Sequence, residues 1–174
     1  MIPKRSKKKS PKKRSKSPSR KSINAVCVLK SNVINGVVYL SQKYNQNVVI
    51  SGNISGLKPN KLHGFHIHET GDLTDECESA CSHYNPTNKN HGGRKSKERH
   101  IGDLGNLKGD FKGDCNFTFS DHLVKLNGEY NVIGRSIIIH ENEDDLGLGE
   151  FEDSKTTGHA GKRIVCGIIG YRKA

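Results

Sequence analysis

His63-Gly64-Phe65-His66-Ile67-His68 is the stretch on which the reading of this chain turns. Laid out as a β-strand it alternates, so His66 and His68 share one face. At strand rise their Cα atoms lie about 7 Å apart. Two imidazoles so placed can converge on one metal ion, and neutral imidazole suits copper and zinc. A His-x-His pair alone is weak evidence, so its surroundings must decide.

Upstream, Ala25-Val26-Cys27-Val28-Leu29 reads as a strand and Asn35-Gly36 as a turn signal, with further strands at 37–40 and 48–50. Downstream, strands read at 116–120 (Phe117 and Phe119 on one face), 122–126, 136–140 and 164–170. Spacing is short, turn residues are frequent, and no segment sustains helical periodicity. The pattern predicts an antiparallel sandwich or barrel. Residues 69–102 and 141–162 carry no strand pattern. Loops that long in a compact domain need a job. Each begins after a His at a strand end, His68 or His140, which places both over one mouth if the two strands are neighbours.

The chain has 174 residues, 19 Gly and no Trp. This suits one small-cored domain plus a tail. No apolar run is long enough for a membrane helix, and nothing apolar precedes Ile23, so no secretory signal peptide is read. The net charge of +11 is local. Residues 1–21 hold 11 Lys and Arg and no acid; 29 in all less these 11 leaves 18, against 18 Asp and Glu. The predicted organisation is a disordered basic arm over 1–21 and one domain over 22–174. Ser10-Pro11-Lys12-Lys13 and Ser17-Pro18-Ser19-Arg20 resemble the arms of DNA-associated proteins and proline-directed kinase sites. Pro11-Lys12-Lys13-Arg14 resembles a nuclear-import signal. The arm is either a solubilising tail or a binder of nucleic acid or another polyanion. Five Cys (27, 77, 81, 115 and 166) form no CxxC, and the odd count argues for free thiols in a reducing compartment. Asn53 and Asn116 head glycosylation sequons that carry no weight without a signal peptide.

In the first long loop His83, His91, His100 and Asp103 supply three nitrogens and an oxygen, a closed zinc-like set. His66, His68 and His140 lie on predicted strands and would make an open site for copper or catalytic zinc. His63, His122 and His159 read as structural or surface residues, with His63 able to bond backbone beneath the site. One His in isolation is more often a plain polar residue; the whole set in this order is not.

That order resembles the copper–zinc superoxide dismutases over about residues 24–171. The matching segments are His63-Gly-Phe-His66-Ile-His68-Glu69, Gly71-Asp72, His83-Tyr-Asn85-Pro86, His91-Gly-Gly93, Glu98-Arg99-His100-Ile-Gly102-Asp103-Leu-Gly105-Asn106, His140-Glu141, Asp144-Asp145-Leu-Gly147, Gly158-His-Ala-Gly161-Lys-Arg163 and Cys166-Gly. The resemblance implies an all-β fold, an eight-stranded antiparallel Greek-key barrel or sandwich with a zinc and disulfide loop and an electrostatic loop. It implies dismutation of superoxide to dioxygen and hydrogen peroxide with one copper and one zinc per chain. His66, His68, His83 and His140 would bind copper, and His83, His91, His100 and Asp103 zinc, with His83 the imidazolate bridge. In that scheme His83 leaves copper on reduction, takes a proton and supplies it in the second half-reaction. Asp144 would join a copper ligand to a zinc ligand, and Arg163 would dock the anion at the mouth. Glu152, Asp153 and Lys155 would form the charged rim, Thr157 would narrow the entrance, and Lys162 would add a cation.

Cys77 and Cys166 match the family disulfide. Cys81 departs from the pattern, since it could compete for that bond or for metal, while Cys27 and Cys115 read as buried free thiols. Glu150-Phe151 stands where small residues are usual. A homodimer is implied through Val26, Val28, the Gly71 region, Ile133, Gly134 and Ile169, with Tyr171 larger and more polar than usual there. A copper chaperone is an implied partner, and no membrane is. The location defaults to the cytoplasm, with the nucleus or a nucleic-acid-containing particle open through the arm. Two rival readings are a copper-delivery relative, whose CxxC domain and CxC tail are absent, and a metal-stabilised module that works only through its arm.

Overall fold

The computed structural model describes residues 22–173, so the expectation for the 1–21 arm falls outside the described residues. Where β-branched and aromatic residues alternate with polar ones, strands form. β1 (Ile23–Lys30), β2 (Asn35–Gln42) and β3 (Val48–Ser55) make an antiparallel meander. β4 (Leu62–His68), β5 (Asp103–Lys108), β6 (Cys115–Asp121), β7 (Ser136–His140) and β8 (Arg163–Tyr171) complete eight strands. The order is β5-β4-β7-β8-β1-β2-β3-β6, every pairing antiparallel. The order leaves β5 and β6 at its two ends, and these approach one another, so the sheet curls into a nearly closed barrel. The all-β barrel with two long loops is as expected.

Inward-facing residues form one core. In β1 these are Ala25, Cys27 and Leu29; in β4, Phe65 and Ile67; in β7, Ile137 and Ile139; in β8, Val165 and Ile169. Phe117 and Phe119 stack with centroids 5.8 Å apart, and Phe117 meets Phe65 edge-on at 5.4 Å. β4 is buried from His63 onward. Its odd residues Phe65 and Ile67 fill the barrel. Its even residues, His66 and His68, face outward beneath the long loops, which is why alternation in the sequence does not become alternation in exposure. Gly64 lies where a Cβ would come 2.8 Å from the Ala160 Cβ and 3.1 Å from the His66 ring, so no larger residue fits that approach.

Three expectations are corrected. Residues 122–126 are not a strand: Asp121 Oδ1 accepts from the Leu123 and Val124 amides, and the Gln42 side chain accepts from the Leu126 amide, so side chains replace the ladder. β5 was not expected: no strand was read over 103–108, where Gly105 and Asn106 interrupt the apolar pattern. Ile169 is fully buried; it is Ile168, 47 % exposed, that faces outward beside Val28 and Tyr171.

Candidate metal centre

The site grows from β4 and β7. Their register places Phe65 opposite Ile139 and His68 opposite Ser136, so His66, His68 and His140 reach one end of the barrel. Residue 83 joins them by an isolated bridge between His68 and His83. The disulfide Cys77–Cys166 ties the first long loop to β8. Two donor sets result, all buried: His66, His68, His83 and His140, and His83, His91, His100 and Asp103. Within each set the donor atoms lie within 4.8 Å of one another, and His83 belongs to both.

Tautomers decide what these sets can hold. His68 Nδ1 donates to the Cys81 carbonyl at 2.8 Å, and His140 Nδ1 to the Gly161 carbonyl at 3.0 Å. His66 Nε2 donates to Asp144 Oδ2 at 2.8 Å. A neutral ring that donates from one nitrogen presents a bare lone pair at the other. Bare nitrogens therefore face inward: His66 Nδ1, His68 Nε2 and His140 Nε2. The last two lie 3.3 Å apart, and His66 Nδ1 and His83 Nε2 have no hydrogen-bond partner at all.

The second set repeats the pattern. His91 Nε2 donates to Asp144 Oδ1 at 2.8 Å, and His100 Nε2 to the Lys89 carbonyl at 3.0 Å. Three nitrogens, Nδ1 of His83, His91 and His100, then stand 3.0–3.1 Å from one oxygen, Asp103 Oδ1. A protonated ring nitrogen, as on His91, satisfies that oxygen in the metal-free protein, and a cation seated among the three lone pairs satisfies it in the loaded one. Two holes lined by unsatisfied lone pairs thus fit two metal ions, and four donors with a single carboxylate fit zinc.

Charge states agree. Burial and the nearby rings push the pKa of His66 and His68 well below the usual imidazole value, and burial carries His140 down to about 4. Burial opposes charge on His91, but the Asp103 and Asp144 carboxylates outweigh it and raise its pKa to about 9. Burial would raise Asp103 and Asp144, yet the imidazoles against them hold both well below the carboxylate range. The first set is neutral imidazole; the second carries the anion.

Asp144 is the link: fully buried, it spans His66 and His91 and accepts from the Leu146 amide at 2.7 Å. Gly158, at φ +67, permits this, since a Cβ there would lie 2.1 Å from Asp144 Oδ1. Asn106 clamps the Asp144 backbone at both its N–H and C=O. Arg99 pairs with Asp121 at 2.5 Å and donates to the carbonyls of His100, Ile101 and Asp103, holding the turn that carries two donors. Sequence reading gave Arg99, Asn106 and Asp121 no role, because their partners are distant or are backbone atoms. His63 behaves as expected: Nε2 accepts from the Lys58 amide and Nδ1 donates to the His140 carbonyl.

A cavity of about 660 Å³ opens over His68, His83 and His140, with Lys89, Asp153, Lys155, Thr157 and Arg163 on its walls. Glu152 and Lys162 are exposed and do not line it. Phe151 stacks on His159 at 3.7 Å, and His159 pairs with Asp153 at 2.7 Å, so the expected change at the rim is an aromatic clasp. Cys27 and Cys115 are buried free thiols, and burial pushes Cys27 up to about 12.

Fold and donor sets together define the class: a metal-binding antiparallel barrel with two buried donor sets that share one imidazole. The family model described as copper/zinc superoxide dismutase (SODC) matches residues 34–169, and the chain belongs to that family. It is 51 % identical over 153 residues, 88 % of this chain and 81 % of the relative, to a Cu-Zn superoxide dismutase of Paramecium bursaria Chlorella virus 1. It is 46 % identical over 152 residues (87 % and 99 %) to superoxide dismutase [Cu-Zn] 5 of Dictyostelium discoideum. An extracellular Cu-Zn superoxide dismutase of Drosophila melanogaster is 48 % identical over 136 residues (78 % and 75 %). The activity is superoxide dismutation, an oxidoreductase reaction, and the cofactors are copper and zinc.

Proposed function

We propose that His66, His68, His83 and His140 hold copper, that His83, His91, His100 and Asp103 hold zinc, and that Arg163 docks superoxide at the open copper face. The carrying observation is the set of bare nitrogens, each fixed by a partner on the opposite side of its ring. When bound, copper supplies a one-electron couple that accepts an electron from one superoxide and returns it, with two protons, to a second, giving dioxygen and hydrogen peroxide. The residues set the conditions. Arg163 is held by the carbonyls of Cys77, Glu78 and Cys81 and stands on the cavity wall, where a guanidinium attracts and orients a small anion. Lys89 and Lys155 add positive charge to the same walls. His83 Nε2 can hold a proton on the cavity side while its Nδ1 side stays anchored near Asp103, so a proton stands beside the docked anion. Asp144 positions His66 and His91 without touching substrate.

Complete donor sets and a cation at the mouth favour this reading over a merely structural module or a copper-delivery relative. The outward Val28, Ile168 and Tyr171, beside Gly71 and Gly134, support a homodimer through that face. A copper chaperone is a further partner, and the arm over 1–21 attaches the enzyme to nucleic acid or another polyanion through its 11 cations. No helix among the described residues is long and apolar enough to cross a membrane. The proposed location is cytoplasmic, or nuclear or in a nucleic-acid-containing particle through the arm; one relative is named extracellular.

The test measures dismutation and metal content in one sample, beside His140→Ala and Arg163→Ala. The expected result is activity at one copper and one zinc per chain, lost in His140→Ala. In Arg163→Ala, kcat/KM falls about 10-fold or more and loses most of its salt dependence. Full metal loading without activity overturns the catalytic reading.

A further inference from the structure

Three cysteines share the disulfide region, and the bridge uses two of them. Cys77 is bonded to Cys166. Cys81 is free and exposed. A single 3-10 turn, Glu78–Ala80, separates Cys81 from Cys77. Cys81 Sγ turns back into that turn, 3.6 Å from the Ser79 carbonyl oxygen. A bonded pair needs Cβ atoms about 3.5–4.5 Å apart, so a Cys77–Cys81 bond requires the short turn to tighten. Cys81 also stands at φ 63, ψ −152, a backbone conformation that suits glycine and strains any residue with a Cβ. The thiol is present where the backbone would prefer none.

The same turn carries the anchors of the mouth arginine. Arg163 Nη1 donates to the carbonyls of Cys77 at 2.6 Å and Glu78 at 3.0 Å, and Nη2 donates to the Cys81 carbonyl at 2.7 Å. That Cys81 carbonyl also accepts from His68 Nδ1 at 2.8 Å. One peptide segment therefore joins the bridge, the spare thiol, the anion-docking cation and a metal donor.

We propose that Cys81 is an exchange thiol for the Cys77–Cys166 bridge, and that the exchange switches Arg163 between a held and a released state. The Cys81 sulfur attacks Cys77 Sγ. The Cys77–Cys81 bond forms as the Cys77–Cys166 bond breaks. Cys166 leaves as a thiolate and takes up the proton that Cys81 gave up. Nothing is oxidised or reduced overall, so no outside reagent is needed. The new bridge closes only the short turn, and the tie of the loop to β8 is lost. The turn can then move off Arg163, whose three acceptors it carries.

The effect on activity rests on the role proposed above for Arg163; the exchange itself does not. The metal-loaded protein, purified without reductant, is incubated, blocked with N-ethylmaleimide, digested and mapped by mass spectrometry. The expected result is a second population with a Cys77–Cys81 bridge and blocked Cys166. It should be absent from Cys81→Ser and from Cys81→Gly, whose glycine suits the backbone and secures folding. Activity should fall as that population grows in the parent protein. A single Cys77–Cys166 linkage with blocked Cys81 throughout, even after a trace of small thiol is added, overturns the proposal. So does a Cys81–Cys166 bridge in its place. Exchange in a protein without dismutase activity would uphold the thiol chemistry and defeat the catalytic reading; full activity with one linkage would do the reverse.

Discussion

Replacing Asp144 by Asn changes one atom and leaves the shape of the side chain intact, yet it should weaken metal binding. Asp144 Oδ1 accepts from His91 Nε2 and from the Leu146 amide, while Oδ2 accepts from His66 Nε2. An asparagine has one oxygen. Two donors already meet at the Oδ1 position, so the oxygen stays there and the NH₂ group faces His66. His66 Nε2 must then accept, and its proton moves to Nδ1, the nitrogen that faces the first metal hole. Both rings also lose charge-assisted hydrogen bonds, each worth about 1.5–3 kcal/mol. Partners of this kind typically govern metal affinity by about 10–100-fold, or about 1.4–2.7 kcal/mol. The expected outcome is a loss of that size at both sites. Asp144→Asn should bind copper no better than Asp144→Ala, which leaves the His66 tautomer free. Competition titration of metal-free protein against chelating indicators reads both constants. An Asn variant that binds both metals like the parent would refute the tautomer argument.

Other outcomes follow from the same packing. The Cys77–Cys166 bond spans a sequence separation of 89 residues, so removing it with Cys77→Ser and Cys166→Ser together should cost about 4–5 kcal/mol in the chain-entropy model; urea unfolding at matched metal content measures this. Arg99 and Asp121 are a fully buried ion pair, so Asp121→Ala strands a charge and should cost about 3–5 kcal/mol; zinc affinity should weaken with it, since Arg99 holds the His100–Asp103 turn, and an unchanged urea midpoint counts against the pair. The metal-free protein should lose stability as pH falls from 6.5 to about 4. Burial holds His140 down to about 4 and lowers His66 and His68 further, so across that window the unfolded chain binds more protons and acid favours it. His91, raised to about 9, is charged in the folded protein throughout and opposes this only near pH 6.5, where the unfolded ring is still partly neutral. Urea midpoints in chelator at both ends of the window check the sign.

The legible part of this chain was the part whose chemistry is written in residue types. Six histidines and one aspartate, ordered by strand and loop, gave the residues that the fold gathers into two candidate donor sets, because ligands must be particular residues at particular spacings. The β5 strand was hidden because Gly105 and Asn106 serve other needs there. Asn106 in particular spends its amide on the Asp144 backbone. The run 122–126 misled in the other direction: Val124 and Leu126 are buried as a strand would bury them, but Asp121 and Gln42 take their amides out of any ladder. Ile169 and Ile168 exchanged faces because one residue of register inverts a strand. Buried pairs such as Arg99 with Asp121 join residues distant in sequence, and nothing local marks them.

The arrangement also explains how so many polar groups can lie in the interior. His66, His68, His83, His91, His100, His140, Asp103 and Asp144 are all buried. Burial of unpaired polar atoms ordinarily costs about 1–3 kcal/mol each. Each of five rings escapes this on one side through a carbonyl or Asp144. On the other side the protein offers no donor, and His66 Nδ1 and His83 Nε2 are left with none. No rotation of these rings cures that, because the outer partners accept only. The deficit is thus built into the tautomers that the barrel and loops impose. A proton relieves it singly, as at His91, but a species that accepts several lone pairs at once, a metal cation, relieves each set together. Metal binding therefore contributes to folding as well as to catalysis. The two donor sets share His83, and Asp144 joins His66 of one to His91 of the other, so the loss of an ion from either set should be felt at the other.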